Sequence, residues 1–286
     1  MLRYGVLASG ELGRICLEGL IKSQHINFIF TDSKSAGIEE LATANNIPCL
    51  TGKPNGKAKE FLAAFTTDVI LSVNYLFIVD GDILSHPAKY AINFHGSLLP
   101  KYRGRTPHVW AIINNEKETG VTAHLMTKGC DEGDIILQQK IEITSSDTGA
   151  ELLAKFNSTY PELINKVIFQ IENNAVTPVP QDNSKATFFG KRTPEDGLID
   201  WNWQRERIYN WVRAQAKPYP GAFTNYKGNK ITIHKISFSD AGFDYTDPNG
   251  KILSTRPLTV KTPNGAVILE EIENEIPVTK GDILNV

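Results

Sequence analysis

Apolar and polar positions alternate in two rhythms along this chain, and the switches between them outline its elements. Tyr4 to Ala8 is a short apolar run, Leu12 to Lys22 carries apolar residues at helical spacing, and Ile26 to Thr31 is apolar again. Strand, helix and strand in that order predict a βαβ unit. A helical stretch at Ile38 to Asn45 and buried runs at Asp68 to Val73 and Tyr90 to Phe94 continue the alternation toward a parallel sheet with helices on both faces. Residues 121–126 and 135–143 alternate with period two around a Gly-Cys-Asp-Glu-Gly-Asp turn, which predicts a hairpin or loop between two strands. A long helix follows from Thr148 to Asn173.

The texture then changes. Thr177 to Lys185 is rich in Pro, Gln, Asp, Asn and Ser, the composition of an exposed connection, so the chain divides into domains at 1–185 and 186–286. Past a short helix at Trp203 to Ala214, prolines and glycines separate β-like runs at Ala222 to Tyr226, Lys230 to Phe238, Leu258 to Lys261 and Ala266 to Ile272. Short strands at regular spacing favour a small closed barrel. No internal repeat or low-complexity tract is evident.

With 286 residues, 41% of them hydrophobic, the chain can bury real cores. Its three cysteines, Cys16, Cys49 and Cys130, form no CxxC pair, so neither a disulfide framework nor a metal site is predicted. The first residues run straight into a strand without a secretory pattern, and no apolar segment approaches the roughly 20 residues that span a bilayer. The expectation is a cytoplasmic protein with no membrane insertion. A net charge of −2 gives no global basic footprint for nucleic acid.

The first strand ends in Ala8-Ser9-Gly10-Glu11-Leu12-Gly13, close to a dinucleotide GxGxxG turn, and Asp32 lies at the end of the second strand. The first glycine of that pattern is missing, and such a turn arises readily in any βαβ unit. A nicotinamide-dependent oxidoreductase is therefore the weaker reading. The helix N-terminus still offers unpaired N–H groups to a phosphate, which makes Ser9, Gly10 and Glu11 candidates for a substrate loop.

The most informative stretch is Asn93-Phe94-His95-Gly96-Ser97-Leu98-Leu99-Pro100-Lys101-Tyr102-Arg103-Gly104, where an apolar strand ends in a polar loop. Side chains alternate along a strand, so Asn93 and His95 project to one side. Ligands of open α/β sheets sit outside the carboxyl ends of strands, where this pair falls. Taken alone, His95 reads first as a packed histidine with satisfied hydrogen bonds and Asn93 as a turn residue, and it is the rest of the segment that reverses this.

Downstream lie Pro107, Trp110-Ala111-Ile112, Thr119-Gly120-Val121-Thr122-Ala123-His124 and Asp131-Glu132-Gly133-Asp134-Ile135. Together, the HGSLLP run followed by DxGDI closely resembles the formyltransferase family that uses 10-formyltetrahydrofolate. The resemblance resumes at Phe189 to Gly197 and at Trp211 through Phe223, as in two-domain members. It implies a Rossmann-like parallel-sheet catalytic domain followed by an OB-like β-barrel, and a homodimer. It also implies that Asn93, His95 and Asp131 are the catalytic residues. A folate pocket is implied near Leu76, Phe77 and Ile78 and near Met126, Thr127 and Gly129, with Asp134 fixing the loop.

Formyl transfer needs such groups. Attack by a neutral amine places negative charge on the formyl oxygen, and Asn93 is suited to donate to it, a contact worth roughly 2.7 to 4 kcal/mol. His95 is suited to take the proton of the attacking nitrogen, worth about 100- to 10,000-fold, with Asp131 orienting the imidazole. No metal or covalent intermediate is required. Asp134 is the rival to Asp131, and His124 to His95.

The acceptor separates family members. The tRNA-directed enzyme typically carries a basic, Gly-rich insertion after the second strand, whereas Thr31 to Glu40 is short and offers only Lys34. The stretch Lys101 to Arg105 and the region Phe189 to Pro194 look like those of the enzyme that formylates UDP-4-amino-4-deoxyarabinose. Lys101, Arg103, Arg105 and Arg192 are therefore candidates to neutralise a diphosphate, with a solvated basic loop as the alternative. The expected acceptor is a nucleotide-linked amino deoxysugar, with methionyl-tRNA second.

Overall fold

Alternating strands and helices predicted for the first half are present in the computed structural model, which describes residues 1–54, 56–274 and 277–284. The order is β1 (Arg3–Ala8), α1 (Gly10–Ser23), β2 (His25–Thr31), α2 (Ala36–Ala44), β3 (Cys49–Thr51), α3 (Ala58–Leu62), β4 (Val69–Val73), α4 (Gly81–Leu84) and β5 (Tyr90–His95). Next come β6 (Arg103–Gly104), α5 (Pro107–Ile113), β7 (Glu118–Leu125), β8 (Ile135–Glu142), α6 (Gly149–Glu172) and β9 (Phe188–Phe189). The strands align as β3-β2-β1-β4-β5-β7-β8. β1 to β5 are parallel, and β7 runs antiparallel to β5. This is a Rossmann-like, mainly parallel sheet.

Burial explains the sequence of the central strands. All five residues of β4 are buried, as a strand covered on both faces requires. On one face Leu7, Phe28, Phe30 and Ile70 form a cluster with Leu62 and Ile83. Phe28 meets Phe30 and Phe61 edge-to-face at 5.5 and 6.0 Å, a preferred aromatic geometry. Gly5 makes room for this packing, since a Cβ there would stand 2.2 Å from the Phe28 ring.

The chain forms two compact units. The first comprises Met1–Gly104, Thr119–Ile141 and Lys155–Phe189, and the second comprises Arg105–Glu118, Glu142–Ala154 and the residues from Gly190 onward. The second holds α7 (Arg205–Ala214) and five strands, β10 (Ala222–Tyr226), β11 (Asn229–Ser239), β12 (Ile252–Thr255), β13 (Leu258–Thr262) and β14 (Gly265–Glu273). They align as an antiparallel sheet in the order β10-β11-β14-β13-β12, so the expected barrel takes the form of a half-barrel. Trp201 is buried in this unit, its indole N–H donating to Thr224 Oγ1 at 2.9 Å. Among the described residues no helix is long and apolar enough to cross a membrane.

Candidate functional site

Asn93 and His95 end β5 at the carboxyl edge of the parallel strands, and the antiparallel register sets Asn93 opposite His124 of β7. Asp131 comes from the turn between β7 and β8. Its φ of +54° lies in the left-handed region, which a short polar residue tolerates at a cost on the order of 1 kcal/mol. Two features impose that turn. A Cβ on Gly133 would fall 1.8 Å from the Leu125 carbonyl oxygen, and Gln181 clamps the loop by donating to the carbonyls of Asp131 and Gly133 at 2.9 and 2.7 Å.

The Asp131 carboxylate is the hub. Oδ2 accepts the Gly104 backbone N–H at 2.9 Å and lies 3.5 Å from His95 Nδ1. Oδ1 accepts from Asn93 Nδ2 at 3.3 Å and lies 3.6 Å from His124 Nε2. Burial alone would raise the carboxyl, but the neighbouring His95 and the Gly104 N–H outweigh it and hold the group well below the usual carboxylate range. His95 is buried too, and its Nε2–H donates to the Tyr102 carbonyl at 2.7 Å, since a carbonyl only accepts. Burial pushes this imidazole below the ordinary histidine value, against the upward pull of Asp131 and of the Tyr102 carbonyl. A proton taken up at Nδ1 is therefore met at once by a fixed carboxylate. Three side chains named from the sequence, Asn93, His95 and Asp131, are brought together within hydrogen-bond or ion-pair reach.

The other candidates are distributed around this centre. Leu76, Phe77 and Ile78 follow β4, the strand paired with β5. Leu76 is 40% and Ile78 90% exposed, so apolar surface stands open at this edge, while Phe77 packs edge-on against Tyr75 at 5.4 Å. Met126 packs against the Leu7 and Phe28 core cluster. Thr127 is exposed with its hydroxyl 3.4 Å from the Gly129 carbonyl, and the Asp134 carbonyl accepts the Leu125 N–H at 2.9 Å.

At the β1 turn, Ser9 is buried, Gly10 donates its N–H to Ser35 Oγ at 2.8 Å, and the Glu11 carboxylate is held by Arg14 at 2.7 Å. One of the helix N–H groups that a phosphate would use is thus already engaged by a hydroxyl.

Of the basic candidates, Lys101 is exposed, whereas Arg103 is buried and donates to Gln181 Oε1 and Asn183 Oδ1 at 2.7 and 2.8 Å. In the second unit Arg105 is exposed. There Arg192 lies between the rings of Trp110 and Trp211, at 4.9 and 4.4 Å, and donates to Gln215 Oε1 at 2.9 Å. Arg103 and Arg192 therefore hold protein together in this structure.

Three contributors were not named from sequence, the Tyr102 carbonyl, the Gly104 N–H and Gln181. The first two are backbone groups, and Gln181 falls in a stretch that reads as a polar connection, so no local pattern marks them.

Residues 6–168 match the family described as formyl transferase, and residues 191–285 match its C-terminal domain. The chain belongs to the formyl transferase family. It is similar to the bifunctional polymyxin resistance protein ArnA of Wigglesworthia glossinidia brevipalpis, at 38% identity over 227 residues covering 79% of this chain. It spans about a third of that relative's length, 34%. The fold is also that of an N-formyltransferase from Helicobacter canadensis, solved with folinic acid and dTDP-3-aminofucose, with a TM-score of 0.72, 22% identity, and 94% and 99% of the two chains covered. A methionyl-tRNA formyltransferase from Clostridium thermocellum matches with a TM-score of 0.59, 20% identity, and 84% and 96% coverage. As a family member this formyltransferase is an enzyme that transfers one-carbon groups.

Proposed function

We propose that the protein transfers the formyl group of 10-formyltetrahydrofolate to the amine of a nucleotide-linked amino deoxysugar. The observation that carries the reading is the arrangement of Asn93 and His95 around the largely shielded Asp131 carboxylate at the carboxyl edge of the sheet. His95 accepts the proton of the attacking amine at Nδ1, and Asp131, 3.5 Å away, stabilises the imidazolium that results. Asn93 supplies an amide N–H to the formyl oxygen as it gains charge. A folate supplies the formyl group when bound. The exposed side chains of Leu76 and Ile78, beside the strand that carries Asn93, fit the apolar part of such a molecule, with the peptide groups of residues 127–129, past the Met126 N–H that is bonded to Ala91, facing its polar edge.

For the acceptor, the connection after β2 is informative. Asp32 accepts the Lys34 N–H at 2.8 Å and the Ser35 hydroxyl at 2.6 Å, closing a tight turn straight into α2 with one lysine and no insertion. That supports a small acceptor over a tRNA stem. The similarity to ArnA and the aminosugar complex of the Helicobacter protein point the same way. Methionyl-tRNA is the second reading, supported by the fold shared with the Clostridium enzyme. Occupation of the Gly10 N–H by Ser35 counts against a dinucleotide.

Absorbance-monitored turnover of 10-formyltetrahydrofolate against a panel of nucleotide-linked amino sugars and methionyl-tRNA tests the proposal. Turnover with a sugar, lost in Asn93→Ala, His95→Ala and Asp131→Ala proteins that remain folded, is the expected result. Turnover with methionyl-tRNA alone would overturn the acceptor assignment.

A further inference from the structure

A second imidazole lies beside the Asn93 amide. His124 is buried, and its Nδ1 lies 2.8 Å from the Leu125 carbonyl oxygen, an acceptor only. Nδ1 must therefore carry a hydrogen, which in the neutral ring leaves Nε2 as an acceptor. That nitrogen stands 3.1 Å from Asn93 Nδ2 and 3.6 Å from Asp131 Oδ1, the second beyond hydrogen-bond distance. The other group facing the Asn93 amide, Asp131 Oδ1 at 3.3 Å, is also an acceptor. With acceptors at both contacts, the orientation of the Asn93 amide is fixed by chemistry: its nitrogen faces inward, with one hydrogen on His124 and one on Asp131.

We infer that His124 is a positioning residue that holds one Asn93 N–H in reserve and yields it only to a charged oxygen. This rests on the formyl-transfer reading above. A neutral formyl carbonyl is a poor competitor for a hydrogen already bonded to an imidazole nitrogen. An oxygen carrying negative charge accepts hydrogen bonds roughly twice as strongly, so the donor swings from His124 to the oxyanion as the charge develops. The contact is then made in the transition state and not in the ground state, the condition under which binding energy raises kcat.

Two substitutions separate the two ends of the ring. The side-chain oxygen of His124→Gln falls near the Nε2 position and keeps an acceptor for Asn93, whereas His124→Asn places its amide near Nδ1 and keeps only the contact to Leu125. The expected result is that His124→Asn lowers kcat by roughly 10- to 100-fold, short of the loss of a whole oxyanion donor, with KM for both substrates changed less than about threefold. His124→Gln recovers most of that loss.

The companion measurement needs no turnover. In 15N NMR of the wild-type protein, His124 shows a protonated Nδ1 and an unprotonated Nε2, and the Asn93 side-chain amide resonances move in His124→Asn but little in His124→Gln. An Nε2–H tautomer, equal kcat for His124→Asn and wild type, or equal losses in both variants would each overturn the inference. Failure of every acceptor to react, with the tautomer as stated, would instead count against the proposed function.

Discussion

Asp131→Asn is the perturbation that tests the site most directly. It keeps the shape of the side chain and one oxygen for the Gly104 N–H, but it removes the charge that faces His95 Nδ1 at 3.5 Å. Unit charges at that separation interact by about 5 kcal/mol at an effective dielectric constant near 20, an upper figure for what the imidazolium loses. Each 1.36 kcal/mol is about a tenfold change in rate, so a kcat loss of roughly 10²- to 10⁴-fold is expected. Single-turnover formyl transfer with saturating substrates isolates this step, and a thermal melt establishes that the variant is folded. Burial would act on His95 without the counterweight of Asp131, so the acid limb of the pH–rate profile should also move to lower pH. A kcat within tenfold of wild type with an unmoved acid limb, or a loss confined to KM, would refute the role given to this carboxylate.

Other outcomes follow from the same structure. Gly104→Ala places a Cβ 2.3 Å from the Phe189 carbonyl at a φ of +102°, so it should displace the N–H that Asp131 accepts and lower kcat by at least about tenfold, as measured by the same assay. Gly133→Ala meets the Leu125 carbonyl at 1.8 Å and should lower stability by about 1 to 3 kcal/mol in urea titration. His108, bonded to the Tyr219 hydroxyl at 2.9 Å, is pushed by burial down to about 4. Its folded value lies below its unfolded one near 6.5, so the unfolded chain binds the extra proton and stability is lost as pH falls from about 6.5 to about 4. The loss should amount to about 3 kcal/mol, and denaturant titrations across that range should show it disappear in His108→Gln. Arg192→Ala removes the guanidinium held between Trp110 and Trp211 and should lower Tm by several degrees.

The elements with a strong rhythm were legible in the sequence. β1, α1, β2, β4, β5 and α6 lie within a few residues of their predicted bounds because burial on one or both faces dictates the spacing of their apolar residues. Short elements such as β3, α3, α4, α5, β6, β9 and β12 escaped notice, since two to seven residues carry too little periodicity to stand out. Asn93 and His95 were legible as a pair because they sit two residues apart on one strand. Asp131 was legible through its Gly-rich turn and the family resemblance.

Contacts made by residues distant in sequence were not legible. Nothing near Gln181 signals that its amide fastens the Asp131 loop 50 residues earlier and takes hold of Arg103, or that Arg103 and Arg192 are already engaged by protein groups. His124 was visible only as a rival histidine, and its contact with the Asn93 amide exists because β7 pairs antiparallel with β5 in one particular register. Periodicity and motif are local properties of a chain, so the sequence determined the sheet and the residue types that meet at the candidate site, whereas the grouping of residues 105–118 and 142–154 with the C-terminal unit was not visible in it. Hydrogen-bond direction and protonation depend on which groups meet across strands and turns, and the tertiary structure alone decided those.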